Sequence, residues 1–202
     1  MKKVMIIAVT CMISVTAFGQ VKFGIKAGGN MSHLSGQTTD KGFKASSWSN
    51  VAYGFHAGGY VNYSFNDVWG AQAEAVFSMQ GGERYIFNTD TGGTLRLNYV
   101  NIPLLLEIKP FTFPLSFLVG PQFGFCVSRS FVEGYSFDKY KTFDFAAAFG
   151  LQYTFIEHLT VGARCNIGLI PSVKYDFTIN NEKATIQGDR NSVLQLSAGW
   201  TF

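Results

Sequence analysis

Apolar residues alternate with small or polar ones along most of this chain, and Leu194 to Phe202 show the rule most clearly. Leu194, Leu196, Ala198, Trp200 and Phe202 share one face, and Gln195, Ser197, Gly199 and Thr201 share the other. Period two is the signature of a strand with two unlike faces. Read this way, the chain predicts eight strands, near 21–31, 53–65, 69–80, 95–108, 115–127, 142–155, 159–169 and 192–202. Each approaches or exceeds the ~9–11 residues with which a tilted strand crosses hydrocarbon. The charged residues keep company with the glycines, while the opposite face is almost free of charge. A soluble barrel of the lipocalin sort alternates too, but it needs Lys, Glu or Asp on its outer face. The pattern therefore predicts a barrel that is apolar outside and polar inside, the arrangement of a transmembrane β-barrel.

The connections predict its orientation. Between strands two and three lie only Asn66, Asp67 and Val68, between four and five Lys109 to Pro114, and between six and seven Ile156, Glu157 and His158. The others, roughly 32–52, 81–94, 128–141 and 170–191, are long and rich in turn-forming residues. Short turns on the periplasmic side and long loops outside would put both termini in the periplasm of a Gram-negative bacterium. Within the fourth long loop, Val173, Tyr175, Phe177 and Ile179 continue the alternation. Asn180 and Asn181 can turn a hairpin back through Ala184 to Gln187, which would give a protruding sheet edge. The fourth strand breaks the rule, because Leu95, Leu97 and Tyr99 sit in one phase and Val100, Ile102, Leu104, Leu106 and Ile108 in the other. Taking the second set as lipid-facing predicts a bulge or phase change near Tyr99.

Residues 1–19 read as a cleavable signal peptide ahead of one barrel domain, 20–202. Lys2 and Lys3 form a positive start, Val4 to Val15 an apolar run too short for a bilayer helix, and Ala17-Phe18-Gly19 a small-residue cleavage site. A lipobox at Cys11 is disfavoured by Thr10 before it and by the lack of a Leu three positions upstream. Without Lys2 and Lys3 the formal net charge of +3 falls to +1, which argues against a nucleic-acid partner. The mature chain keeps Cys126 and Cys165, expected on non-adjacent strands with opposite facing, and hence unpaired. Aromatics make up 16% of the sequence and cluster near strand ends, as interfacial girdles require.

Five segments carry a family resemblance: YVNIPLLLEIKP at Tyr99 to Pro110, LVGPQFGF at Leu118 to Phe125, FDFAAAFGLQYTF at Phe143 to Phe155, ARCNIGL at Ala163 to Leu169 and LQLSAGWTF at Leu194 to Phe202. In order and spacing they resemble the PorT-like small outer-membrane β-barrels of Bacteroidetes across the whole mature chain. The resemblance implies an eight-stranded outer-membrane barrel and, for most members, no defined biochemical activity. One named member assists a secretion system, a role that the resemblance does not transfer.

No catalytic, cofactor or metal site is predicted. His33, His56 and His158 are spread over the two ends of the barrel, whereas a metal or a nucleophile and its base must converge. His56 and Asp144 form the one acid–base pair worth naming, with a structural hydrogen bond the favoured reading. The pairs Gly28-Gly29, Gly58-Gly59 and Gly81-Gly82 precede no helix and read as barrel geometry rather than phosphate loops. The phase assignment turns Lys22, Lys26, Glu74, Glu107, Asp144 and Arg164 inward. An eight-stranded interior is just wide enough to be filled by side chains, so these charges must pair. Counting up from the short-turn end sets Lys26, Glu74 and Arg164 at one height, with strands three and seven opposite, and predicts an ion-pair plug that disfavours a general porin. The terminal Phe202 is expected to act as an assembly signal for the barrel-insertion machinery. Beyond outer-membrane lipid and that machinery, the expected partner is a ligand or protein at the extracellular loops. A secretion or transport accessory is the alternative, and an outer-membrane enzyme a third.

Overall fold

A computed structural model of the chain describes residues 20–35, 50–84, 93–110, 114–131, 142–170, 174–179, 182–187 and 190–202. The expected signal peptide, 1–19, and its cleavage site lie outside the described residues. Among the described residues there are ten strands: β1 (Val21–Ser35), β2 (Asn50–Ser64), β3 (Trp69–Arg84), β4 (Gly93–Ile108), β5 (Leu115–Phe131), β6 (Phe143–Thr154), β7 (Leu159–Gly168), β8 (Lys174–Ile179), β9 (Glu182–Gln187) and β10 (Arg190–Thr201). Eight of them close an antiparallel barrel in the order β1-β10-β7-β6-β5-β4-β3-β2, and β8 and β9 pair as a separate hairpin.

Two polarities explain why the sheet closes. Ile25, Phe55, Phe77, Leu104, Phe117, Phe149, Leu151, Leu194 and Trp200 are exposed on the outer wall. The interior holds Asn30, His56, Asn62, Gln72, Glu74, Glu107, Arg164, Asn166 and Gln195, all buried. In water this would be an inside-out protein. In hydrocarbon it removes every barrel edge and keeps polar side chains away from lipid, where a charge near the midplane costs ~2–4 kcal/mol.

The register fixes the geometry. Strand partners followed from Val21 through Tyr63, Ala71, Leu106, Val119, Phe149, Cys165 and Leu194 lead back to β1 at Met31, ten residues further on. For eight strands this stagger corresponds to a tilt of about 40° and a climb of about one and a quarter residues at each step around the wall. The short turns hold one end together. Asn66 Oδ1 accepts from the backbone N–H groups of Val68 and Trp69 at 2.9 and 2.8 Å, an Asx-turn between β2 and β3. The Thr201 N–H donates to the His158 carbonyl at 2.7 Å and ties the β6–β7 turn to β10.

Several boundaries differ from those the alternation predicts. β1 to β5 run 15 to 17 residues, against 12, 10 and 12 for β6, β7 and β10. One side of the wall therefore stands taller, and the connections above it are shorter than expected. His33 accordingly belongs to β1 and not to a loop. The alternation marks only the part that lipid touches, and these strands continue past it.

The bulge expected near Tyr99 is present in the β4–β5 ladder, though not on β4 itself. β4 keeps one phase throughout, with Leu97, Tyr99, Asn101, Leu105 and Glu107 buried and Ile102, Leu104 and Leu106 exposed. The irregularity lies on the facing strand, where Asn98 pairs with Ser128 and Tyr99 with Cys126, leaving Val127 as the extra residue of a β-bulge. Leu97 and Tyr99 point inward because the upper lumen holds an apolar cluster of Leu34, Leu97, Tyr99 and Cys126. A second irregularity separates Val51 from His56 on β2. There Asn30 Nδ2 reaches the carbonyls of Phe55 at 3.0 Å and Met79 at 2.9 Å, supplying donors where the ladder is interrupted. Cys126 is buried and Cys165 exposed, and both are free thiols.

Candidate functional site in the barrel lumen

Three strands bring three charges to the middle of the lumen. Correcting the ladder for its climb sets Lys26 on β1, Glu74 on β3 and Arg164 on β7 within about one and a half residues of one another along the axis. β3 and β7 are opposite in the ring. Arg164 spans it, donating from Nη1 to Glu74 Oε2 at 2.8 Å and from Nη2 to Glu74 Oε1 at 2.5 Å, a bidentate pair. Lys26 Nζ lies 2.5 Å from Glu74 Oε2, and the Glu74 side chain has no solvent exposure. Gly28, Gly58 and Gly150 lie on the wall near this level. At Gly150, beside Arg164, an added Cβ would lie 3.2 Å from the Ala163 carbonyl oxygen and 3.5 Å from the Arg164 Cβ. At Gly28 and Gly58 a side chain would run into the backbone of the neighbouring strand.

Polar contacts continue toward the short-turn end. Gln72 Nε2 donates to Glu74 Oε1 at 2.7 Å, and Asn62 Nδ2 donates to Gln72 Oε1 at 3.2 Å and to Glu107 Oε2 at 2.7 Å. Lys109 Nζ closes the series 3.1 Å from Glu107 at the rim. Tyr60 fills the lumen over Gly24, where any side chain would strike its ring, and its hydroxyl bonds Thr201 Oγ1 at 2.7 Å. Leu105, Leu118 and Ala148 occupy the other side. Lys22, expected inside with these groups, keeps the inward phase but is exposed, because it lies at the mouth one turn of the pleat beyond the packed interior.

Above the charges sits a neutral network that the sequence did not single out. Asn166 Nδ2 donates to Gln195 Oε1 at 2.9 Å, and Gln195 Nε2 donates to Asn30 Oδ1 at 3.1 Å. His56 Nδ1 meets the same Asn30 oxygen at 2.7 Å. Asn30 Nδ2 and Gln80 Nε2 both donate to Ser78 Oγ, at 2.9 and 2.7 Å, and Asn191 Nδ2 donates to Gln80 Oε1. Carboxamides on an inward face carry no sequence mark of their own. Only the register shows that these fall on neighbouring strands at neighbouring heights.

The geometry keeps the histidines apart. His33 is half-buried on the outward phase of β1, and His56 is fully buried in the lumen. His158 Nδ1 lies 2.8 Å from the Thr201 carbonyl, its ring stacked on Trp200 at 5.4 Å. Neither ring nitrogen of His56 bonds Asp144, which is buried about three residues higher on the opposite wall. Among the described residues no three His, Cys, Asp or Glu side chains converge as a metal would need. Phe202 is exposed on the outer wall at the short-turn end, and its backbone N–H donates to the Phe23 carbonyl at 2.8 Å.

Comparison with known proteins agrees with this architecture. A family model described as "Outer membrane protein beta-barrel domain" matches residues 16–174. No match is found among curated proteins. Among solved structures, OprG from Pseudomonas aeruginosa is similar at 16% identity, covering 91% of this chain and 96% of OprG, with a TM-score of 0.56. Neisserial surface protein A is similar at 14% identity, covering 89% and 97%, with a TM-score of 0.55. Ail of Yersinia pestis is similar at 16% identity, covering 91% and 99%, with a TM-score of 0.49. For OprG and Neisserial surface protein A the likeness is one of fold.

Proposed function

Because the chain belongs to the outer-membrane β-barrel domain family, we propose that it is a closed barrel that anchors a recognition surface in the outer membrane, with no enzymatic activity and no role as a general porin. The observation that carries this reading is the crossing of the lumen by Arg164 and Glu74 with Lys26 against them. A filled middle leaves the ends of the barrel as the surfaces able to meet another molecule. The long connections offer the larger of these, with the β8–β9 hairpin standing outside the barrel sheet and β1 to β5 extending past their shorter neighbours. Strand edges of this kind accept an extended segment by main-chain pairing. On the five shared segments we assign the chain to the PorT-like group, with both termini periplasmic.

The reading is tested by photo-cross-linking in intact membranes, with reactive residues placed either in the hairpin, 174–187, or in the short turns at Asn66 and Glu157. The expected result is a specific adduct from the hairpin and none from the turns. Adducts from the turns alone would transfer the role to an accessory docked on periplasmic machinery.

We further propose that Phe202 is read during insertion. An aromatic on the outer face just past β10, with its N–H already used to close β10 against β1, is available to the insertion machinery without cost to the lumen. Deleting Phe202 should lower the inserted amount several-fold while leaving the unfolding midpoint of inserted molecules nearly unchanged. Normal insertion of the deletion variant would refute the assignment.

A further inference from the structure

We propose that the level of the lumen just above the ion cluster is a binding site for hydroxyl groups, anchored on His56, Asn101 and Asn166. The corrected ladder puts these three side chains within about one residue of one another along the axis, on β2, β4 and β7, about 7 Å above the mean level of Lys26, Glu74 and Arg164. They stand on three sides of one ring and all face the interior. His56 is 1% exposed, Asn101 3% and Asn166 1%. Each nevertheless holds a buried polar atom that no protein group satisfies: His56 Nε2, Asn101 Nδ2 and Asn166 Oδ1. Leaving such an atom unpaired in the interior is costly, so three at one level point to a resident partner.

The hydrogen bonds define what that partner must be. Asn30 uses its Nδ2 on the Phe55 and Met79 carbonyls and on Ser78 Oγ, so its Oδ1 is the acceptor facing His56. His56 Nδ1 therefore carries the proton, and Nε2 presents a lone pair. Asn166 Nδ2 is committed to Gln195, which leaves its Oδ1 as a second acceptor. Asn101 Nδ2 is a donor. Two acceptors and one donor match a water molecule, which gives two hydrogen bonds and takes one through a single oxygen, or two hydroxyls of one polyol, since a lone alcohol O–H gives only one. An anion would find two lone pairs opposed to it, and a cation would sit above Lys26 and Arg164. Water and the hydroxyls of a small polyol share the chemistry required.

The three histidines of the chain make the test direct. A His33→Gln, His158→Gln double variant of the intact barrel leaves His56 as the single imidazole, which is followed by nitrogen-15 NMR in lipid nanodiscs. The expected spectrum has Nδ1 protonated and Nε2 unprotonated, with the Nε2 resonance moved to the hydrogen-bonded range and the ring C–H protons cross-relaxing with long-lived water. Glycerol separates the sources. If the hydroxyl is water's, the resonances do not respond to glycerol; if it is a polyol's, Nε2 shifts on titration and the water cross-peak fades. A free-lone-pair Nε2 resonance with no water cross-relaxation and no response to glycerol would overturn the proposal, as would a proton on Nε2.

Discussion

Replacing Glu74 with alanine is expected to cost the folded barrel about 5 kcal/mol, and replacing Arg164 about 3 kcal/mol, the two ends of the range for stripping one partner from a buried ion pair. The order follows from what remains. Without Arg164, the Glu74 carboxylate keeps Lys26 and the amide of Gln72. Without Glu74, two cations face each other, and among the described residues no other carboxylate lies at that level. Urea unfolding of the refolded protein in lipid bilayers reads both values, and a Glu74→Ala, Arg164→Ala double variant should recover part of the loss. Equal midpoints for wild type and both single variants would show that the cluster contributes nothing to stability.

The second large effect is expected at a glycine. Gly28 faces the lumen at the level of the ion cluster, and a Cβ there would overlap the carbonyl of Leu196 and the Cα of Ser197 on β10. Backbone cannot yield as a flexible side chain can, so Gly28→Val must either part β1 from β10 at the seam that closes the barrel or prevent closure. Overpacking of a tight interior costs about 1–3 kcal/mol, and at the seam the upper end is expected, seen as a sharp fall in the heat-modifiable folded form on a denaturing gel. Its neighbour is the control. Gly29 faces outward with no atom within 4 Å of an added Cβ, so Gly29→Val should fold as wild type does. Equal folded yields from the two variants would show that the crowding at Gly28 is relieved without consequence.

Lipid contact decides which parts of this architecture are legible in the sequence. Where hydrocarbon touches the wall, every second residue must be apolar, and strands such as β6 and β7 can be read within a residue or two. Above that band the demand lapses, so the upper reaches of β1 to β5 resemble loops in sequence while remaining paired in space. The β8–β9 hairpin could be read because its alternation resumes beyond Pro171 and because Asn180 and Asn181 mark a turn. β4 misleads for a different reason. Leu97 and Tyr99 are apolar yet inward, packed on Leu34 and Cys126, and an apolar residue in the lumen looks in sequence like a change of phase.

The lumen divides in the same way. Charges advertise themselves, and counting from the short turns sets Lys26, Glu74 and Arg164 at a common height. The carboxamides do not. Asn30 becomes the hub of the neutral network only through its place beside the β2 irregularity and through the ten-residue stagger that carries Gln195 and Asn166 to its level. Neither feature can be derived from alternation. The inward charge of Lys22 shows the opposite limit, since phase is periodic but burial ends where the barrel does.

Planar-bilayer conductance of the purified, refolded wild-type protein tests most directly the claim that the lumen is filled and closed. The expected trace has no steady single-channel current across the bilayer at moderate voltage, because Arg164, Glu74 and Lys26 obstruct the middle and Tyr60 the short-turn end. A stable ohmic channel in wild type, unaltered by Glu74→Ala, would contradict it.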